Sequence, residues 1–302
     1  MPASGHLKFW GVRGSIPVPG PGTVRYGGNT SCVEVRAEDE LIVLDAGTGI
    51  RELGLALENE FGGKPIRMTL LITHVHWDHI HGFPFFGPSY QQKNQIRILG
   101  YDGHGPGLSD ILKEQMAAPV FPVTLHDLEA KIQIEKLETN DFNIGKVRIR
   151  SHFVNHPGAC VGYRVFSSTG SFAYLPDNES YEACKLHSAN SDPLTPEQAK
   201  KRTGEERAEL IKFLQGCDIL ILDSQYTDQE YHAHIGWGHG SLSSAVGLAR
   251  DAAVGKLVLF HHDPEHDDAK VDAMLAHARK LAANAGAKFE VEAAREGNDY
   301  SF

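Results

Sequence analysis

The stretch Thr73–Gly82, THVHWDHIHG, sets four histidines and one aspartate into ten positions directly after the apolar run MTLLI. In an extended segment, side chains two apart point to the same side, so the imidazoles of His74 and His76 can grip one ion. Asp78 and His79 follow where the chain must turn, and can face a second position beside the first. Imidazole and carboxylate without cysteine suit zinc, iron or manganese, and such mixtures are typical of open, catalytic sites. His81 reads as a helix residue near the rim rather than as a ligand.

Other parts of the chain carry the same kind of unit, an apolar β-branched run ending in His or Asp. LIVLDAG stops at Asp45, MTLLITHVH at His74, FAYLPD at Asp177, DILILDSQY at Asp223 and KLVLFHHDP at His261. Short apolar runs read as buried strands, and strand ends are where α/β sheets place their sites. Five such ends argue for one composite site. Helical segments alternate with them. TPEQ, Thr195–Gln198, has the form of a capping box with Pro196 at the first helical position, and that helix should close before Gly216. SLSSAVGLARDAAVG is predicted to run from a serine cap to Gly255, and DDAKVDAMLAHARKLAANAG to stop near Gly286. The N-terminal part shows two strand-like stretches around GSIPVPGPG, which reads as a surface turn because no GxxxxGK[ST] follows.

Composition frames these readings. With 302 residues, 41% hydrophobic and 23% charged, the chain can bury a full core. Its net charge of -10 disfavours long nucleic acids as partners, because phosphate binding depends mainly on Lys and Arg. A small phosphoester held by metal ions stays compatible with it. Cys32, Cys160, Cys184 and Cys217 show no CxxC spacing, so neither a disulfide framework nor a thiolate zinc knuckle is expected. No apolar run approaches the roughly 20 residues that span a bilayer, and the first residues lack the order of a signal peptide. The expectation is a soluble, cytoplasmic protein without a membrane partner.

At this point the sequence resembles a family. HVHWDH, residues 74–79, is similar to the HxHxDH signature of the metallo-β-lactamase-fold hydrolases, and NHPGACVGYR, FAYLPD and LVLFHH follow in that family's order. ILDSQY and GHGSLSSA resemble the acidic-residue and histidine motifs of the branch holding ribonuclease Z and related phosphodiesterases. The resemblance implies an α/β (α+β) fold, a four-layered αββα sandwich with a dinuclear site on one edge of the two sheets. It also implies one domain over residues 1–302 with two pseudo-related halves, and a homodimer. The polar stretch near 186–206 reads as a surface insertion, with a lid or a partner surface over the site as the alternative.

Carried over by that resemblance, His74, His76 and His156 would hold one metal, and Asp78, His79 and His261 the other, with Asp177 bridging and His262 as the alternative to His261. Asp45 falls where the family has a carboxylate that orients ligands. Two divalent ions, zinc first and manganese or iron as alternatives, would supply a bridging hydroxide. His239 would be the general acid or transition-state stabiliser, Asp223 would hold its other ring nitrogen, and Asp78 is counted with them as catalytic. The expected function is a phosphodiesterase on small substrates such as cyclic nucleotides. An acyl hydrolase, such as a lactonase or β-lactamase, is the alternative. Cleavage of tRNA 3' ends ranks lower because the segment before His156 is short and not basic enough for a long RNA-gripping arm, and a non-catalytic metal-binding regulator ranks lowest.

Overall fold

The computed structural model describes residues 5–103, 105–181 and 196–302. The chain runs β1 (His6–Gly11), β2 (Cys32–Ala37), β3 (Glu40–Leu44), α1 (Gly49–Phe61), β4 (Arg67–Leu71), α2 (Trp77–Ile80), β5 (Gln95–Gly100), α3 (Leu108–Gln115) and β6 (Lys131–Lys136). It continues through β7 (Asp141–Ile144), β8 (Val147–Phe153), β9 (Val161–Phe166), β10 (Ser171–Leu175), α4 (Pro196–Leu214), β11 (Ile219–Asp223), α5 (Asp228–Tyr231) and α6 (Leu242–Asp251). β12 (Lys256–Phe260), α7 (Asp268–Asn284), β13 (Glu290–Ala293) and β14 (Asp299–Ser301) complete the described strands and α-helices.

Two seven-stranded sheets result, in the orders β14-β1-β2-β3-β4-β5-β6 and β13-β12-β11-β10-β9-β8-β7. Both follow one pattern. In the first sheet, β14 to β3 pair antiparallel and β3 to β6 parallel. In the second, β7 to β10 pair antiparallel and β10 to β13 parallel.

Three apolar clusters separate four layers. Leu7, Phe9, Ile42 and Leu44 of the first sheet meet Ile149, Tyr163, Tyr174 and Val258 of the second between the sheets. Leu41, Val43, Leu70 and Ile98 point the other way, toward Ile50, Leu53 and Leu57 of α1. Leu220, Leu222 and Leu257 likewise meet Leu210, Val246 and Val271 of α4, α6 and α7. The parallel strands are apolar throughout for this reason: their alternating side chains are covered on both faces. The fold is thus the αββα sandwich.

Most helix limits agree with the sequence. α4 ends before Gly216, whose φ of 67° suits glycine, and α7 ends before Gly286, at φ 64°. Ser241 caps α6 by accepting from the Ser244 N–H. That helix, however, stops at Asp251 rather than running to Gly255. Gly255 is instead needed where the chain enters β12, because a Cβ there would lie 2.7 Å from the Asp218 carbonyl oxygen. The capping box at Thr195 begins outside the described residues, as does 186–195 of the polar insertion; its remainder is the start of α4. Cys184 also lies outside them, while Cys32, Cys160 and Cys217 are buried free thiols. Among the described residues, no helix is long and apolar enough to cross a membrane.

Candidate metal centre

The parallel pairing of β3 with β4 and of β11 with β10 and β12 brings five strand ends to one edge of the sandwich. After β4 the backbone stays extended through His76 (φ −66°, ψ 152°), then turns into α2. The extended part aims His74 and His76 the same way, their rings 4.5 Å apart, and the turn redirects Asp78 and His79. His156 enters from the loop after β8, with its Nε2 3.0 Å from His76 Nδ1.

Among the described residues, ligand atoms gather in two main groups, and those of Asp177, His239 and His261 form a third that overlaps them. Those of His74, His76, His156 and Asp177 lie within 4.8 Å of one another, as do those of Asp78, His79 and His261. Asp177 faces both groups. Its Oδ2 is 3.6 Å from His74 Nε2 and 3.7 Å from His156 Nε2; its Oδ1 is 3.0 Å from His79 Nε2 and 3.4 Å from His261 Nε2. Asp78 Oδ2 stands 3.3 Å from His79 Nε2 and 3.1 Å from His261 Nε2. His262 turns away, its Nε2 2.9 Å from the Ala294 carbonyl oxygen, and His81 contacts the Trp77 carbonyl oxygen.

The donor set fits divalent cations. His74 Nε2, His79 Nε2 and Asp177 Oδ1 are buried without a hydrogen-bond partner, although leaving such atoms unsatisfied costs about 1–3 kcal/mol each. They converge where a cation would satisfy them together. Burial pushes His74 well below the ordinary imidazole range and His156 down to about 3, so both keep a lone pair free at neutral pH. Burial also opposes charge on His79 and Asp177. At His79 the carboxylates of Asp177, Asp78 and Asp45 outweigh it and raise the pKa well above normal; at Asp177 the surrounding histidines lower it well below. An environment that favours an imidazolium so deep in the protein also favours a metal cation.

Behind the ligands stands a network of orienting groups. Asp45 accepts from His79 Nδ1 (2.8 Å), the Thr73 N–H (2.8 Å) and Tyr174 Oη (3.0 Å). The Thr73 hydroxyl, itself donating to Asp45, lies 3.1 Å from His74 Nδ1. His156 Nδ1 donates to the Gly238 carbonyl oxygen at 2.8 Å. Asp45 and His261 hold left-handed backbone, at φ 61° and 62°, a conformation uncommon for non-glycine residues.

His239 lies beside the second group. Its Nδ1 donates to Asp223 Oδ2 at 2.9 Å, its ring stacks on His261 at 4.9 Å, and its side chain is 12% exposed. Burial would lower its pKa, but the charge and hydrogen bond of Asp223 push it up to about 9. The imidazolium therefore prevails at neutral pH, with Nε2–H as the free donor. Asp223 is fixed in turn by the Asn178 and Gln225 N–H groups.

Several groups escaped the sequence reading. Gln225 Oε1 accepts from His261 Nδ1 at 2.9 Å, while its amide donates to Asp263 at 3.0 Å. The turn that begins GSIPV also reaches the site. Ser15 N–H donates to Asp78 Oδ2 at 2.7 Å, and a Cβ on Gly14 would sit 2.4 Å from the His261 ring. The glycine permits that close approach, which no local pattern announces. Glu179, two residues past Asp177, is fully buried beneath the loop carrying His239.

Residues 25–167 match the Metallo-beta-lactamase superfamily. A Thermoplasma acidophilum protein named Ribonuclease Z is 27% identical over a 309-residue alignment covering 93% of this chain and 92% of the relative. Among solved structures, the metallo-beta-lactamase fold protein YhfI from Bacillus subtilis superposes with a TM-score of 0.67 at 15% identity, covering 99% of this chain and 100% of that one. A diphosphatase from the PhnP family superposes at 0.64 with 18% identity, covering 99% and 98%.

Proposed function

With its metallo-β-lactamase superfamily domain as the premise, we propose that this metal-dependent hydrolase is a phosphodiesterase acting on small substrates such as cyclic nucleotides. The observation that carries the reading is the His239–Asp223 hydrogen bond at the edge of the cation-binding groups, where the carboxylate favours the protonated ring. An alkoxide leaving a phosphodiester needs a proton, and His239 Nε2–H is free to supply one. Carbonyl attack in an acyl hydrolase depends less on such a donor.

His74, His76 and His156 would hold one ion and Asp78, His79 and His261 the other, with Asp177 between them; zinc is the metal proposed. Bound there, divalent cations lower the pKa of water toward neutrality and offset charge on the attacked group's oxygens. The chain's own part is to orient the ligands through Asp45, Thr73 and Gln225, and to hold the proton on His239. Proton donation of this kind contributes on the order of 10²–10⁴-fold in rate.

The test is an assay on cyclic AMP, cyclic GMP and bis-p-nitrophenyl phosphate with zinc, manganese or iron supplied. Turnover of a phosphodiester supports the reading, and no turnover with any metal sinks it. On the cyclic nucleotides, whose leaving alkoxide needs a proton, His239→Ala separates the classes, since a large loss favours phosphoryl chemistry and a small one acyl transfer. The name of the Thermoplasma acidophilum relative favours a second reading, cleavage of tRNA 3' ends. The net charge of -10 weighs against it, and the described residues between Ile80 and His156 include β5 to β8, which lie within the two sheets. Cleavage of a tRNA precursor faster than of any small diester would reverse that ranking. The proposal includes a homodimer, which analytical ultracentrifugation reads directly.

A further inference from the structure

The loop Gly236–Gly240 carries His239, yet no regular strand or helix holds it. Its conformation depends on two glycines, Gly236 and Gly238, both at φ +93°. These turns aim the N–H groups of Gly236 and Gly238 into one small pocket, while the Trp237 N–H between them donates to the His234 carbonyl oxygen. A carboxylate of the chain itself fills it. Glu179 Oε1 accepts from the Gly236 N–H at 2.6 Å and from Tyr231 Oη at 3.0 Å, and Oε2 accepts from the Gly238 N–H at 3.1 Å. The Glu179 backbone is anchored as well, its N–H donating to the carbonyl oxygen of Asn155, the neighbour of His156, at 2.8 Å.

We propose that Glu179 is a positioning residue: its buried carboxylate clamps the Gly236–Gly240 loop and so fixes the proton donor His239 and the carbonyl that orients His156. The same residue serves both ends. Gly238 gives its N–H to Glu179 and its carbonyl oxygen to His156 Nδ1, and a Cβ on Gly238 would lie 2.3 Å from that nitrogen. One clamp thus ties a ligand of the first cation position to the acid beside the second. Hydrogen bonds to a charged group are stronger than neutral ones, which suits a role in holding a loop without secondary structure.

The experiment compares wild type with Glu179→Gln, which keeps the shape but surrenders charge and one acceptor. Hydrogen–deuterium exchange comes first. The clamp requires faster exchange across 235–240, by about tenfold or more, with the two sheets unaffected. Unchanged exchange in that segment overturns the proposal. Gly236→Ala is the second variant: it strains the loop from the other side, with space for the new Cβ, and should loosen the same segment if Glu179→Gln fails to fold. Unchanged exchange there, with Glu179→Gln unfolded, likewise overturns it.

The kinetic arm rests on the phosphodiesterase reading. Glu179→Gln should lower kcat by roughly 10–100-fold for esters with alkyl leaving groups, as removal of an orienting partner does, and much less for p-nitrophenyl esters, whose leaving group needs no proton. In the double variant with His239→Ala the losses should not add. Equal losses with both leaving groups, or full additivity, would count against positioning of His239. Should wild type hydrolyse neither ester, the phosphodiesterase reading fails, and the exchange comparison still decides the clamp.

Discussion

The two proposed cation positions share Asp177 but are supported differently. At the second, His79 leans directly on the Asp45 carboxylate and His261 on Gln225, which Asp263 holds. At the first, His156 leans on a main-chain carbonyl, His74 reaches Asp45 only through the Thr73 hydroxyl, and His76 is exposed. A carboxylate behind an imidazole raises its basicity and fixes its tautomer more firmly than a neutral acceptor can. The second position should therefore bind its ion the more tightly, and the first, where His76 is exposed, should exchange the more readily.

The largest effect should come from erasing what the two positions share. Asp177→Asn is expected to reduce metal content from two ions per chain to less than one and bring hydrolysis to background, as measured by elemental analysis beside the assay. A variant that retains two ions would show that the bridge is dispensable. Asp45→Asn should weaken the second ion by about 100-fold and the first by about tenfold, because the carboxylate reaches one ligand directly and the other through Thr73. Competition titrations with a chromogenic chelator measure both, and equal losses would dissolve the asymmetry. Gln225→Leu should cost the second position roughly tenfold and leave the first alone. The mildest test changes only pH. His239 donates while protonated, so turnover of alkyl esters should hold below its pKa and decline as pH rises through about 9, with p-nitrophenyl esters largely spared. A pH profile identical for both leaving groups would detach His239 from proton transfer.

How much of this was legible in the sequence follows from the same asymmetry of distance. His74, His76, Asp78 and His79 could be read because one strand end and one turn present them within six residues. Asp177, Asp223 and His261 were legible as apolar runs that end in a polar group, since parallel strands covered on both faces must be apolar throughout. The layered architecture rested on the family resemblance, which periodicity alone could not supply. Gln225, Glu179, Gly14 and Ser15 stayed hidden for a physical reason: each acts through a contact between segments far apart in the chain. Ser15 meets Asp78 across 63 positions, and Glu179 meets Gly238 across 59. A turn motif such as GSIPVPGPG describes how the backbone bends, not what it bends toward.

One pairing in the first sheet has a bearing on how the chain acquires its shape. β14 lies antiparallel against β1, with His6 opposite Ser301, so the rim of the first sheet is finished by residues made almost three hundred positions later. Loop closure over such a span is slow and must await synthesis of the second sheet. Until then β1 presents an open strand edge, the kind that recruits other chains. Concentration during refolding should thus matter more for this protein than its final stability suggests, with dilution or slow release from denaturant improving the yield.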